Sequence, residues 1–200
     1  FHPNPLPPMR RLLAAAPLFL SMLCPPAIMA QAEPPAPARA PASPQSPAAS
    51  PKQYDAVLTE QNVMVPTRDG VRLATDIWRP ARNGVPVAGQ FPLLLLRTPY
   101  DKTTRAPQAP YFAERGYVVA VQDIRGRYRS EGAFAKVQPK DATDGYDTIE
   151  WLARQSYSNG SVGMWGTSFD AHMQAGAAAL HPRALKTTII NMGGMSNAWD

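Results

Sequence analysis

Four short apolar runs, separated by stretches with helical spacing, constrain the fold of this chain more than any other feature of its sequence. Each run is too short for a buried helix and is bounded by Gly, Pro or polar residues, as strands buried on both faces of a parallel sheet are. The alternation of strand and helix predicts an α/β fold, with a mostly parallel sheet and helices on both faces. The buried strands are predicted at 91–97, 117–121, 161–165 and 185–191, and the helices at 109–115, 141–154 and 169–180.

A hairpin is predicted ahead of these elements. From Gln61 onward apolar and polar residues alternate on both sides of a short polar segment that ends in Asp69-Gly70. An Asp-Gly pair between two alternating segments is a strong signal for a hairpin turn. Two antiparallel strands should therefore open the domain, at the edge of an otherwise parallel sheet.

The first fifty residues differ in composition from the rest. Residues 1–51 hold 14 of the 23 prolines, and the first glycine is Gly70. A basic start at 9–11, an apolar run at 12–23 and small residues at Ala30 and Ala32 are typical of a secretory signal peptide. We therefore expect export, with cleavage near Ala30 or Ala32, a secreted or periplasmic protein and no stable membrane span afterwards. A membrane anchor is the alternative interpretation.

The chain thus divides into four predicted segments. Residues 1–8 are a leader of unclear role, 9–32 the signal peptide, and 33–52 a linker rich in Pro and Ala that cannot bury enough apolar surface to fold. Residues 53–200 form the globular body.

Charge and cysteine content exclude several classes of function. From residue 53 onward there are 16 Lys and Arg residues against 14 Asp and Glu, so no basic surface for nucleic acid is expected. Cys24 is the only cysteine, which rules out an intrachain disulfide and a Cys-rich metal site. We expect neither a cofactor nor a metal, and the oligomeric state is left open.

The segment Gly166-Thr167-Ser168 joins the third predicted buried strand to its helix. A nucleophilic serine needs this placement, because a tight strand-to-helix turn projects its hydroxyl above the sheet. The helix N-terminus favours the negative charge of an oxyanion, and the N–H of Phe169 is placed to donate to it. The usual second glycine is replaced by Asp170, and a bare Gly-x-Ser also occurs by chance. A phosphate-binding loop is excluded, since the lysine it requires is missing.

Five stretches, at 65–73, 97–102, 122–132, 144–152 and 159–168, match the order of motifs in a known family. Over residues 57–199 the chain resembles the amino-terminal half of the CocE/NonD-type α/β-hydrolases. That group includes cocaine-esterase-like enzymes, α-amino-acid ester hydrolases, glutaryl-cephalosporin acylases and X-Pro dipeptidyl-peptidases. The resemblance implies an α/β-hydrolase fold, incomplete in this chain.

The resemblance implies roles for three residues. Ser168 would be the nucleophile, and Phe169, where the family usually has Tyr, would give its backbone N–H to the oxyanion hole. Tyr100 resembles the tyrosine whose hydroxyl is the second oxyanion donor in several members, although a packed loop tyrosine is the alternative. Ala171 stands where the family pattern has Gly.

Neither histidine after Ser168 is a credible base. His172 lies one turn into the following helix and His181 at its end, whereas this fold orders its triad as Ser, then Asp or Glu, then His. The triad acid and histidine are therefore expected beyond residue 200, and the fragment alone is expected to be inactive. Asp123 and Arg125 are interpreted as a structural ion pair or a hydrogen-bonded turn.

The sequence therefore predicts a secreted serine hydrolase that cleaves ester or amide bonds through an acyl-enzyme. A small-molecule or peptide-like acyl compound is the expected substrate, and α-amino-acid ester hydrolases and acylases are the nearest functional type. X-Pro dipeptidyl-peptidase and cocaine-type carboxylesterase activities are alternatives. A secreted α/β domain that binds without catalysis is the alternative from a different class.

Overall fold

The computed structural model describes residues 49–136 and 138–193. The predicted leader, the signal peptide with Cys24 and most of the linker lie outside the described residues. Within the described ranges, no helix combines the length and apolar character needed to cross a membrane.

One seven-stranded sheet organises the described body. The strands are β1 (Asp55–Pro66), β2 (Arg72–Arg82), β3 (Val85–Pro86), β4 (Phe91–Thr98), β5 (Val118–Asp123), β6 (Ser158–Thr167) and β7 (Leu185–Asn191). The helices are α1 (Lys102–Arg105), a 3-10 turn (Ala106–Gln108), α2 (Ala109–Ala113), α3 (Pro139–Ala153) and α4 (Phe169–Ala179).

The order of the strands in the sheet is β1-β2-β5-β4-β6-β7, with β3 beside β2. Strands β4 to β7 run parallel to one another, whereas β2 is antiparallel to both β5 and β1. The predicted hairpin therefore forms the antiparallel edge of a largely parallel sheet.

Hydrophobic clusters cover both faces of the sheet. Leu93 and Leu95 of β4 pack with α3 and α4 on one face, whereas Leu96 packs with α2 on the other. Side chains of a strand alternate between the two faces, so a continuous apolar run fills both clusters at once. The predicted α/β fold with helices on both faces is confirmed.

The hairpin is longer than its alternation indicated. Strand β1 begins at Asp55, ahead of Gln61. The alternation did not predict its first residues, because register irregularities between Leu58 and Val63 interrupt the two-residue period. The predicted turn is present, and its Gly70 has a φ of 86° that favours glycine.

Strand β7 differs from the prediction of a buried strand. All of its residues are exposed or half-buried, and Ile189 is 60% exposed. The reason is its position, because among the described residues β7 pairs with β6 alone. A β-branched, apolar sequence shows that a segment is a strand but does not show how many neighbours it has.

The proposed ion pair between Asp123 and Arg125 is wrong. Arg125 instead bonds Asp144 of α3, with Nη2 to Oδ1 at 2.6 Å, and Asp69 of the hairpin turn at 2.9 Å. Asp123 accepts the backbone N–H of Arg129 at 3.3 Å, within the turn that follows β5, so the alternative of a hydrogen-bonded turn is correct for that residue. The two partners of Arg125 lie far away in the sequence, so local patterns do not reveal them.

Candidate active site

Ser168 lies in a strained turn between β6 and α4. Its φ of 59° is in the left-handed region that a residue with a side chain rarely adopts. Such a conformation costs about 1–3 kcal/mol and is found where function requires it. The turn is held from the neighbouring strand, because the Ser168 N–H donates to the Asn191 carbonyl at 2.9 Å.

The Ser168 side chain is exposed and takes no part in holding the helix. Ser168 occupies the N-cap position of α4, but within the described part of the chain its hydroxyl makes no capping hydrogen bond. Its carbonyl accepts the N–H of Ala171 at 3.0 Å and that of His172 at 3.2 Å, which begins the helix. The hydroxyl is therefore left facing the solvent at the C-terminal edge of the sheet.

Gly166 makes the turn tight. A Cβ at this position would lie 2.7 Å from Nε2 of Gln174 and 2.8 Å from the backbone carbonyl carbon of Asp170. No real side chain tolerates contacts this short, so α4 can approach β6 this closely only at glycine. The expected role of the first glycine of the motif thus has a steric basis.

Ala171, in place of the family glycine, does not open the turn. Its side chain is fully buried, and it packs toward Gly193, where an added Cβ would lie 2.6 Å from the Ala171 Cβ. The methyl group of Ala171 occupies space that is free because Gly193 has no side chain. The elbow consequently keeps its conformation.

Phe169 and Tyr100 meet beside Ser168. Phe169 is the first residue of α4, where backbone N–H groups lack partners within the helix. Tyr100 follows β4, whose C-terminal end shares a sheet edge with that of β6. The two rings lie 6.4 Å apart in a T-shaped arrangement, and Tyr100 is 45% exposed. The structure therefore brings together the three residues that the sequence singled out.

An ion pair that the sequence did not indicate lies beneath these rings. Nε of Arg105 is 2.9 Å from Oδ2 of Asp170, whose side chain is 2% exposed. Burial raises the pKa of the Asp170 carboxyl, while a hydrogen bond with Thr98 and the nearby Arg105 oppose that rise. The guanidinium of Arg105 lies 5.3 Å from the centre of the Tyr100 ring. In the sequence, the one indication of this ion pair was Asp170, which stands where the motif usually has glycine.

A pocket of about 190 Å³ opens next to Ser168. Apolar surface from Leu96 and Trp165 forms part of its wall, and Arg105 and Asp170 form a charged part. The Trp165 indole N–H donates to Oε1 of Gln108 at 3.0 Å, which orients both side chains. The site can therefore receive a small group with both apolar and polar character.

The two histidines of the described region lie in different surroundings. His172 is half-buried, with its ring 6.1 Å from that of Phe169. His181 is exposed beyond the end of α4, roughly 16 Å along the helix from its first residue. Within the described ranges, no set of three or more His, Cys, Asp or Glu side chains is arranged to hold a metal ion.

Comparison with known proteins identifies the family of this chain. A sequence model of the X-Pro dipeptidyl-peptidase (S15) family matches residues 69–200. Cocaine esterase of Rhodococcus sp. (strain MB1 Bresler) is 42% identical over 137 residues, which covers 66% of this chain and 23% of that enzyme. The chain therefore spans less than a quarter of the length of this curated relative.

Solved structures share the fold. An α-amino acid ester hydrolase superposes with a TM-score of 0.62 and 32% identity, over 78% of this chain and 29% of its own. A CocE/NonD family hydrolase from Staphylococcus aureus superposes with a TM-score of 0.57 and 30% identity, over 64% of this chain and 26% of its own. With its mixed sheet and the serine turn after β6, the chain belongs to the X-Pro dipeptidyl-peptidase (S15) family of α/β-hydrolases.

Proposed function

We propose that Ser168 is the nucleophile of a serine hydrolase that cleaves ester bonds. The observation that carries this proposal is the exposed serine with a φ of 59° at the junction of β6 and α4. A strained, exposed serine above a helix N-terminus is the arrangement that acyl transfer requires. The relatives support it, since they include an esterase and an ester hydrolase.

The reaction proceeds through an acyl-enzyme. Oγ of Ser168 attacks the ester carbonyl carbon while its proton passes to a histidine that we expect beyond residue 200. The negative oxygen of the tetrahedral intermediate accepts hydrogen bonds from the Phe169 N–H and the Tyr100 hydroxyl. The C–O bond to the leaving alcohol then breaks, and the histidine returns the proton to that oxygen. Water attacks the acyl group in the second half, which releases the acid and restores Ser168.

Covalent labelling tests the nucleophile. A fluorophosphonate should label the full-length protein at Ser168, and peptide mass spectrometry should locate the adduct. The Ser168→Ala variant should lose the adduct, whereas the Ser161→Ala variant, which changes a serine of the preceding strand β6, should keep it. A folded protein that takes no label would overturn the proposal and favour the non-catalytic binding domain.

We propose esters of small α-amino acids as the substrate class. The support is the 32% identity with an α-amino acid ester hydrolase and the mixed polar and apolar pocket next to Ser168. The assay compares phenylglycine methyl ester, phenyl benzoate and Ala-Pro-p-nitroanilide with the full-length protein. The highest kcat/KM is expected for the amino-acid ester.

The other substrates in that panel represent the two alternatives. Preference for phenyl benzoate would favour a carboxylesterase like cocaine esterase, with which the chain is 42% identical. Preference for the Ala-Pro anilide would favour dipeptide release, the activity after which the matching family is named.

We also propose export of the mature protein. The basic start and the apolar run of residues 9–32 support it. Expression of the full reading frame and N-terminal sequencing of the processed protein test it. A mature N-terminus close after Ala30 or Ala32 is expected, and an unprocessed protein in the cytoplasm would contradict it.

A further inference from the structure

We infer that Arg105 is a positioning residue that holds the Tyr100 hydroxyl in place for the reaction at Ser168. The inference rests on the proposed function, since it concerns the orientation of a proposed oxyanion donor. Arg105 is not in the Gly-x-Ser motif and follows Tyr100 by five residues, as the last residue of the short helix α1. Its guanidinium makes contacts on two sides, with Asp170 and with the Tyr100 ring.

Asp170 fixes one side of Arg105. Oδ2 of Asp170 lies 2.9 Å from Nε of Arg105, and the carboxylate is 2% exposed while the Arg105 side chain is 29% exposed. A buried carboxylate needs a partner, because leaving a charge unpaired inside a protein is costly. Asp170 belongs to the first turn of α4, so Arg105 is anchored directly to the helix that follows Ser168.

The Tyr100 ring lies on the other side. The guanidinium carbon of Arg105 is 5.3 Å from the ring centre, within the range of a cation–π interaction. A planar guanidinium can stack on a ring face while its N–H groups bind a carboxylate at the edge. Arg105 therefore connects the Tyr100 ring to Asp170 through a single rigid group.

Thr98 closes the arrangement from β4. Its Oγ1 accepts the Tyr100 N–H at 3.1 Å, which fixes the Tyr100 backbone to the end of β4. The backbone of Tyr100 is thus held by β4, and its ring is held by Arg105. Phe169 packs edge-on against the Tyr100 ring at 6.4 Å, so both proposed oxyanion donors are held relative to α4.

Arg105 also lines the pocket next to Ser168, but an uncharged substrate has no ionic group that pairs with its guanidinium, so loss of Arg105 should mainly loosen one donor. Tyr100 is 45% exposed, so without the guanidinium its ring gains room to turn toward solvent. A donor that must be reoriented during the reaction stabilises the transition state less than a preorganised one does. We therefore expect a lower kcat with little change in KM.

The experiment is a double-mutant cycle in the full-length protein with p-nitrophenyl acetate. Arg105→Met should lower kcat about tenfold and change KM by less than about twofold. In a Tyr100→Phe background the same substitution should change kcat by less than about twofold, because the hydroxyl that Arg105 positions is no longer present. Equal losses in both backgrounds would overturn the inference, since they would show an effect independent of the Tyr100 hydroxyl. No loss in either background would overturn it as well.

Two further variants separate positioning from folding. Arg105→Lys keeps a positive charge beside Asp170 but has no planar face, so it should fold and still lose kcat in a Tyr100-dependent manner. Arg115→Met is the matched control, since the Arg115 guanidinium lies 3.8 Å from the centre of the Tyr111 ring, away from Ser168. It should leave kcat unchanged. Wild-type kcat in both Arg105 variants would contradict the inference.

A second readout does not depend on activity. With 3-fluorotyrosine at position 100, the ¹⁹F resonance should shift and broaden in Arg105→Met and stay unchanged in Arg115→Met. An unchanged resonance in Arg105→Met would overturn the positioning role. Absence of phosphonate labelling at Ser168 would instead overturn the proposed function, so the two failures are distinguishable.

Discussion

The space between Gly166 and Asp170 has room for the side chain of only one of the two residues. A Cβ on Gly166 would lie 2.8 Å from the Cβ of Asp170, far inside normal contact distance. The usual motif has glycine at both places, whereas this chain keeps the first and places a buried carboxylate at the second. Asp170 therefore fits beside the nucleophile turn only because Gly166 has no side chain. Asp170 in turn pairs with Arg105.

Gly166→Ala is expected to disable the turn. The new methyl group would meet the backbone of Asp170, so the start of α4 must move, at a cost of about 1–3 kcal/mol in unfolding free energy. The rate of fluorophosphonate labelling at Ser168 should fall at least about tenfold. Gly163→Ala on the same strand is the control, since its nearest contacts are side-chain ends at 3.0 and 3.1 Å that can shift. Equal labelling of both variants would contradict this prediction.

Tyr100→Phe should lower kcat by about 10²–10³, the usual effect of losing one oxyanion donor. The substitution removes only the hydroxyl and keeps the ring contacts with Phe169 and Arg105. Steady-state kinetics of the full-length protein measure it, with Tyr111→Phe as a control at a similarly exposed tyrosine. Unchanged turnover would indicate that Tyr100 is a packing residue.

Asp144→Ala should destabilise the fold by about 3–5 kcal/mol, because it leaves the buried Arg125 guanidinium without its main partner. Both side chains are at most 5% exposed. On the same helix, Asp147 pairs with the exposed Arg68, so Asp147→Ala should cost less than about 1 kcal/mol. Denaturant unfolding of both variants checks the difference. Similar losses would show that burial does not decide the strength of these pairs.

Asp69 should contribute to acid sensitivity. Hydrogen bonds from Arg125, Lys140 and Thr67 hold the pKa of its carboxyl well below the ordinary value of 3.8. A carboxyl with a lowered pKa in the folded state stabilises the protein above its unfolded pKa, and the contribution is lost as the pH falls below that value. Asp69→Asn should therefore be less stable than wild type at pH 7, and the gap should narrow at pH 3. Urea midpoints at both pH values measure it, and a constant gap would contradict the prediction.

Local pattern was enough to predict most elements. The third predicted strand and its helix correspond to β6 and α4, and their junction is Ser168. Periodicity and glycine placement act over a few residues, so they are readable without knowing the fold. The prediction was wrong where the alternation of apolar and polar residues is interrupted. In β1, register irregularities break the two-residue period, so its first residues were not predicted as a strand. The short helix α1 was missed as well, because a helix of four residues leaves no periodicity.

The sequence by itself determined the alternation of strands and helices and the place of Ser168 at the end of one strand. Tertiary structure decided which charges pair: Arg105 with Asp170 and Arg125 with Asp144. These partners are far apart in the chain and meet because parallel strands end at a common sheet edge. Each side chain could have paired with several others, and only the tertiary structure decides which of them come within reach of one another.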